Sequence, residues 1–381
     1  MTIQLEYFDN SLLLKTDKKL PNSIIFQIKF YGFKSSQDEQ NVFVNSSVDF
    51  DLGELIEFLN SNKIELYLCD KTKKILENQT NKVNTFKVKI DFLREAKENI
   101  DTNSFNEFCA SIDYLNRPLK PHQEKSLYHL DKANCAANFS VPGSGKTSVV
   151  LAFYEKLKLK NEVDAIFLIG PKNCYYSWKT EFKLNLNRDP KLQILDENKE
   201  KRKFIYENSL NNEVYACHFS TVANDLTLLK EFLYKKKFLL VIDEAHNIKK
   251  IGGLWSNAIL SLRYLSKYKI ILTGTPMPQD FKDFYNYLDF LYPDFEVINS
   301  YEKAQIEVFM DNKKFDEAAN LINNKIYPFY TRVTKKELKL SKPNFLRPYL
   351  IKMNPIEKKI HDAITTKIKY YAKNDYLKNI D

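Results

Sequence analysis

Between Asp113 and Arg332 the chain alternates continuous apolar runs with amphipathic stretches, and this rhythm constrains the fold more than any other feature. CAANFSV is followed by TSVVLAFYEKL, AIFLIG by YYSWKTEFKL, and KLQIL by a charged helical stretch. VYACHFS, FLLVID and IILTGT are followed in turn by LTLLKEFLY, LWSNAILSL and FKDFYNYLDFL. Short strands that are apolar on both faces, punctuated by helices, form a parallel sheet covered on both sides. In such sheets ligands bind beyond the carboxyl ends of the strands. Functional residues are therefore expected just after each apolar run, and the polar motifs of this chain fall there.

The first 112 residues differ in character. IIFQIKFYGF, KIELYLCD and NTFKVKIDF alternate apolar with polar residues and read as half-buried strands, with LGELIEFLNSN as a short amphipathic helix between them. The expectation is a small α+β domain over residues 1–112, an α/β lobe over 113–332 and a basic connector over 333–381. From Thr331 to Asp381 there are 13 Lys+Arg against 5 Asp+Glu, a net of +8 within a chain total of +9. That excess suits either a solvated surface or a face turned toward a polyanion. IEKKIHDAITTKIKYYAKNDYLKNI, within it, has helical spacing.

No apolar run approaches the roughly 18–20 residues that span a bilayer, and residues 1–20 lack the basic start and apolar core of a signal peptide. Cys69, Cys109, Cys135, Cys174 and Cys217 have neither metal-type spacing nor the pattern of a disulfide framework, which fits a reduced, cytoplasmic compartment without a membrane partner.

Three motifs carry chemistry. In Ser140-Val-Pro142-Gly143-Ser144-Gly145-Lys146-Thr147-Ser148, glycines let backbone N–H groups converge on phosphate oxygens, and the helix that follows points its positive end at the anion. Lys146 can reach the outer phosphates and the Thr147 hydroxyl can ligate Mg2+. Ser140 stands where such loops usually begin with glycine. In FLLVIDEAHN, five apolar residues deliver Asp243 and Glu244 to a strand end. Adjacent carboxylates there repel unless a cation is near. Asp243 suits Mg2+, and Glu244 suits the base that orients an attacking water. Thr273 and Thr275 of LTGTPMP follow another strand, where they can hydrogen-bond to the acidic pair and sense the terminal phosphate.

Ser140-x-x-Gly-x-Gly-Lys-Thr, Asp243-Glu-Ala-His246 and Thr273-Gly-Thr-Pro276 resemble motifs I, II and III of superfamily-two helicases. Further blocks resemble the Swi/Snf-like DNA-translocating ATPases. They are Leu119-Lys-Pro-His-Gln123, Pro171 followed by Trp178-x-x-Glu181-Phe182, DFYNYLDFLYP, TRVTKKEL and LIKMNPIEKKIH. The resemblance covers about residues 113–365. It implies a RecA-like P-loop lobe that binds ATP and Mg2+, with Gln123 recognising adenine and His246, Thr273 and Thr275 coupling nucleotide state to movement. It also implies double-stranded DNA as partner, touched by Lys172, Ser220 and Thr221, although Ser220-Thr221 reads equally as a helix N-cap. Trp178 and Phe182, four residues apart, read as packing between helix and sheet. The family works with a second RecA-like lobe that supplies arginines to the γ-phosphate, and the isolated 381 residues are expected to hydrolyse ATP very slowly. Lys120, His122, Val141-Pro-Gly and Gln279 depart from the family pattern toward a divergent prokaryotic branch, for which restriction or phage defence with partner proteins is the implied setting. Two other classes stay open: a nucleotide-controlled module that docks nucleic acid or a partner, and an RNA or single-strand helicase of the DEAH type.

Overall fold

Alternation of buried and exposed side chains shapes the amino-terminal region. In the computed structural model, which describes residues 2–8, 11–30, 33–36, 41–45, 52–276, 281–339, 349 and 351–378, Ile3, Leu5, Leu12 and Leu14 point into one small core. Strands β1 (Thr2–Phe8) and β2 (Ser11–Thr16) pair as an antiparallel hairpin, followed by helix α1 (Asn22–Phe30), β3 (Lys34–Ser35) and β4 (Val42–Asn45). Helix α2 (Leu52–Ser61), β5 (Glu65–Leu68) and the long helix α3 (Asp70–Glu98) complete the region. The sheet runs β3-β4-β2-β1-β5, antiparallel except where β5 joins β1, and α2 covers it with Leu55 and Leu59.

Two expected strands are helices. IIFQIKF lies in α1 because Leu20, Ile24 and Ile28, four residues apart, are the buried set, whereas Phe26 is exposed. NTFKVKIDF lies within α3. Its apparent alternation conceals Phe86 and Leu93, seven residues apart and both buried, while Val88 and Phe92 face out. KIELYLCD contributes β5 and LGELIEFLNSN contributes α2, as expected.

After helices α4 (Thr102–Ala110) and α5 (Pro121–Ala133), the apolar runs become strands. They are β6 (Cys135–Asn138), β7 (Ala165–Ile169), β8 (Leu192–Ile194), β9 (Val214–Cys217), β10 (Phe238–Ile242), β11 (Tyr268–Leu272) and the short β12 (Tyr330–Thr331). Between them lie α6 (Lys146–Leu159), α7 (Cys174–Leu186), α8 (Lys199–Asn208), α9 (Phe219–Asn224), α10 (Leu226–Tyr234), α11 (Leu254–Leu260), α12 (Asp283–Leu291), α13 (Ser300–Asp311) and α14 (Phe315–Ile326). All pairings in the order β12-β6-β11-β10-β7-β9-β8 are parallel. Every residue of β7 and β10 is buried, at about 1.5–3 kcal/mol for each large apolar side chain, which is why these runs read as uniformly apolar.

Residues 1–338 form one compact unit and 339–381 another. The second holds helix α15 (Pro355–Lys378), capped by Asn354, whose Oδ1 accepts from the Ile356 and Glu357 N–H groups. Ile356, Ile360, Ile364 and Ile368 recur on it every four residues and are exposed. No helix of the described residues is long and apolar enough to cross a membrane. Met277, Pro278 and Gln279 lie outside the described residues, as does most of 340–350.

Candidate nucleotide site at the carboxyl edge of the sheet

Strand order brings the motifs together. The adjacent strands β6, β11, β10, β7 and β9 end in residues 139–145, 273–276, 243–246, 170–173 and 218–220, all on the carboxyl edge of the parallel sheet.

The phosphate loop takes its turn at two glycines. Gly143 has φ +81° and Gly145 φ +82°, a left-handed backbone that costs a side-chain-bearing residue about 1–2 kcal/mol. Gly143 faces open space, but a Cβ on Gly145 would lie 1.9 Å from Gln123 Nε2. Gln123 is buried and spends both ends of its amide locally. Its Oε1 accepts from Lys120 N–H at 2.8 Å, and its Nε2 donates to the Ser144 carbonyl at 3.0 Å. His122 Nε2 donates to the same carbonyl at 3.0 Å. The residue expected to read adenine thus also shapes the loop, a role its place in the sequence did not signal.

Lys146 opens α6 and folds back, donating from Nζ to Ser140 O at 2.9 Å. Burial lowers its pKa, while Asp243 and Glu244 pull it back up, so the ammonium lies within the field of the acidic pair. Thr147, half-buried, makes no hydrogen bond through its hydroxyl to another described residue. Among the described residues Ser144 Oγ is buried without a hydrogen-bond partner. Ser148, expected in the cradle, turns its hydroxyl away: Oγ accepts from Arg117 at 2.8 Å and donates to Glu181 at 3.0 Å, and Arg117 pairs with Glu181. Only its backbone remains to face the loop. This brace needs Arg117 and Glu181, distant in sequence, and no local pattern announces it.

Asp243 is held from two sides. Its Oδ2 accepts from Trp178 Nε1 at 2.8 Å and its Oδ1 from the Glu244 N–H at 2.9 Å. Trp178 is therefore more than the packing residue its spacing suggests. A Cβ on Gly170 would lie 3.3 Å from that of Asp243, so the turn after β7 fits closely behind the carboxylate. Burial, followed by the charges of Asp243 and Glu244, raises the Cys174 thiol pKa and keeps it protonated. Glu244 adopts φ 50°, ψ 51°, a left-handed conformation for a residue with a long side chain. Its carbonyl accepts from Asn247 N–H and Nδ2, at 3.1 and 2.8 Å. Its carboxylate is 3.2 Å from His246 Nδ1, without hydrogen-bond alignment.

Thr273 is fully buried, and its Oγ1 accepts from the Thr275 N–H at 3.1 Å. Among the described residues no hydrogen bond joins Thr273 or Thr275 to Asp243 or Glu244, contrary to the expectation from sequence, because Thr273 Oγ1 closes its own turn. The third motif meets the first instead: a Cβ on Gly274 would be 3.0 Å from Pro142 Cδ.

Of the residues expected at nucleic acid, Lys172 is exposed, 3.6 Å from Asp196. Thr221 is buried, with 8% of its surface exposed. Neither Ser220 nor Thr221 caps a helix: His218 does, its Nδ1 accepting from the Ser220 N–H at 3.2 Å. Burial and then Lys172 lower the His218 pKa, leaving the imidazole neutral and able to accept.

The donor set fits a magnesium nucleotide. Thr147 and Asp243 offer the hard oxygen ligands that Mg2+ prefers, and the loop offers N–H groups, Lys146 and the unpartnered Ser144 hydroxyl to phosphate. A parallel sheet with a phosphate loop, an acidic pair and Thr-Gly-Thr on one edge defines a RecA-like P-loop lobe. The family model described as "SNF2-related domain" matches residues 125–379, and the chain belongs to that family. This bears out the Swi/Snf resemblance and the RecA-like fold.

An "Uncharacterized ATP-dependent helicase" of Mycoplasma pneumoniae is 27% identical over 223 residues, covering 58% of this chain and 20% of its own. The "ATP-dependent helicase FUN30" of Saccharomyces cerevisiae is 25% identical over 252 residues, 62% of this chain and 22% of its own. The chain thus spans about a fifth of the length of these relatives. The solved SWI2/SNF2 ATPase core of Sulfolobus solfataricus in complex with dsDNA shares the fold, with a TM-score of 0.50 at 24% identity over 60% of this chain and 47% of that one.

Proposed function

We propose that this chain is the ATP-binding lobe of a SNF2-family motor that couples ATP hydrolysis to movement along double-stranded DNA. The observation that carries the reading is the meeting of three motifs on one sheet edge, with Gly274 packed on Pro142 and the Asp243–Glu244 charges felt by Lys146. In this reading the loop N–H groups and Lys146 hold the β- and γ-phosphates, and Lys146 exchanges its bond to Ser140 O for phosphate oxygen. Thr147 and Asp243 would hold Mg2+, which when bound neutralises phosphate charge. Glu244 takes the proton of the attacking water, with His246 beside it to carry that change toward Thr273 and the third motif. Gln123 releases Ser144 O as it turns to adenine. Lys172 and Ser220 would touch DNA phosphates without reading sequence. A second RecA-like lobe would bring the arginines that speed hydrolysis by about 10³–10⁵. A setting in restriction or phage defence is the reading that the departures in the loop and around Gln123 favour.

Nucleotide binding by the 381-residue chain tests the site, and Lys146→Ala is expected to weaken it at least about tenfold through loss of a charge-assisted contact. Equal affinity in the variant would overturn the assignment of the loop. Joined to its second lobe, the protein should be stimulated by duplex DNA more than by single strands or RNA. Stimulation by RNA alone would replace the DNA track with an RNA one.

A further inference from the structure

A second set of contacts reaches the phosphate loop from behind, from the TRVTKKEL stretch and not from the acidic pair or Thr-Gly-Thr. Phe139 N–H donates to Thr331 O at 2.8 Å, and Val141 N–H donates to Val333 O at 3.1 Å. Val333 N–H in turn donates to Ser140 Oγ at 3.0 Å. The first residues of the loop therefore hang from residues 331–333, just past β12.

The turn that leads into β12, Tyr327–Phe329, is pinned by two nitrogens from other elements. Lys97, one residue from the end of α3, donates from Nζ to Tyr327 O and to Tyr330 O, both at 2.7 Å. The same ammonium lies 3.7 and 4.3 Å from the centroids of the Tyr327 and Tyr330 rings. His129 of α5 donates from Nε2 to Pro328 O at 2.8 Å, since a carbonyl can only accept. Three backbone carbonyls within four residues are thus committed to two side chains. Charge-assisted bonds in a largely dry setting hold geometry more firmly than neutral ones.

Other contacts of α3 act through side-chain packing or at another element. Phe86 stacks on Phe295 at 3.9 Å and on Phe329 of the same turn at 5.7 Å, and Arg94 donates to Asn324 O in α14. Lys97 alone of these places its bonds on the backbone that continues into the strap under Ser140 and Val141.

We propose that Lys97 is a positioning residue for nucleotide binding, through which the amino-terminal region sets the shape of the phosphate loop. The inference rests on the reading of the loop as an ATP site. Lys97 makes its bonds to residues 327 and 330, outside the phosphate loop. It fixes residues 327–330, these fix β12 and Val333, and Val333 fixes Ser140 and Val141. A loop whose first two residues lose their anchor presents its N–H groups in more than one arrangement and binds phosphate less well.

The test compares Lys97→Met, Lys97→Arg and Arg94→Met in the 381-residue chain, by affinity for a fluorescent ATP analogue and by amide hydrogen exchange without nucleotide. Lys97→Met is expected to weaken binding about fivefold or more, the size of an ordinary coupling between sites. Exchange should quicken in peptides covering 328–334 and 139–146 but not in β7. Arg94→Met, which also loses a bond between α3 and the lobe, should leave affinity within about twofold. Lys97→Arg, which keeps the charge and its donors, should recover part of the loss.

Unchanged affinity together with faster exchange confined to 328–334 would overturn the proposal, because the turn would then be loosened without effect on the loop. An equal loss in Arg94→Met would overturn it too, reducing Lys97 to general docking. If Lys97→Met does not fold, the same two measurements on Lys97→Gln, which also removes the charge, decide in its place, with the same outcomes for and against. If the unaltered chain binds no nucleotide, the reading of the site fails, and exchange at 139–146 still decides whether Lys97 reaches the loop.

Discussion

Gly145→Ala should cost more than Gly143→Ala, for a reason the structure isolates. The two glycines share a φ near +80°, so each alanine meets the same backbone penalty of about 1–2 kcal/mol. At Gly143 nothing lies within 4 Å of the new methyl group, and the cost ends there. At Gly145 the methyl occupies the place of Gln123 Nε2, 1.9 Å away, and the amide must move. The side chain is flexible, so steric repulsion is relieved cheaply, but its bonds to Ser144 O and Lys120 N–H are lost. At about 0.5–1.5 kcal/mol each, they make Gly145→Ala worse by about 1–3 kcal/mol. Urea denaturation of both variants measures the difference directly. Repeating both in a Gln123→Ala background closes a double-mutant cycle, in which the gap should vanish. A gap that survives the loss of Gln123, or no gap at all, would refute the reasoning.

Trp178→Phe keeps an aromatic ring against the sheet but removes the N–H that orients Asp243 Oδ2. Partners of metal ligands typically matter about 10–100-fold, so the Mg2+ concentration for half-maximal nucleotide binding should rise by about tenfold. An unchanged Mg2+ titration would mean that Asp243 is oriented without Trp178. His129 gives a pH signature. Burial, offset slightly by the Pro328 carbonyl and reinforced by Lys97, holds its pKa down at about 4 against an ordinary 6.5. Between those values the unfolded chain binds a proton that the native one does not. This group's contribution to stability is thus fully present above about pH 6.5 and is lost as the pH falls, by at most about 1.4 kcal/mol per unit. His129→Gln should flatten that slope in urea midpoints taken at pH 7 and pH 5, and an identical slope would exclude His129 as its source.

The parallel sheet was legible because burial on both faces leaves one kind of residue along a whole strand, as in Phe238–Ile242. The amino-terminal region was not. A stretch such as Phe86-Lys-Val-Lys-Ile satisfies a two-residue period by eye, and only Phe295 and Phe329, far along the chain, decide that Phe86 is the buried one. The site divides in the same way. Gly143, Gly145, Lys146, Asp243 and Glu244 announce themselves through local chemistry. Gln123 folded onto Ser144, Trp178 on Asp243 and Arg117 on Ser148 are tertiary arrangements, invisible until the elements pack. His218 escaped notice because an imidazole caps a helix only when it is kept neutral, and burial beside Lys172 does that here.

Glu244 stands where the backbone would be more comfortable with glycine. Its left-handed conformation costs about 1 kcal/mol, tolerated because Asp243 and Asn247 bond the peptide groups on either side. Stability and chemistry therefore pull this position in opposite directions. Drift toward greater thermal resistance would favour Glu244→Gly and delete the proposed base in the same step, whereas selection for turnover retains the carboxylate and the strain together. Glycine at this position in a related chain would thus mark a lobe kept for binding and released from hydrolysis.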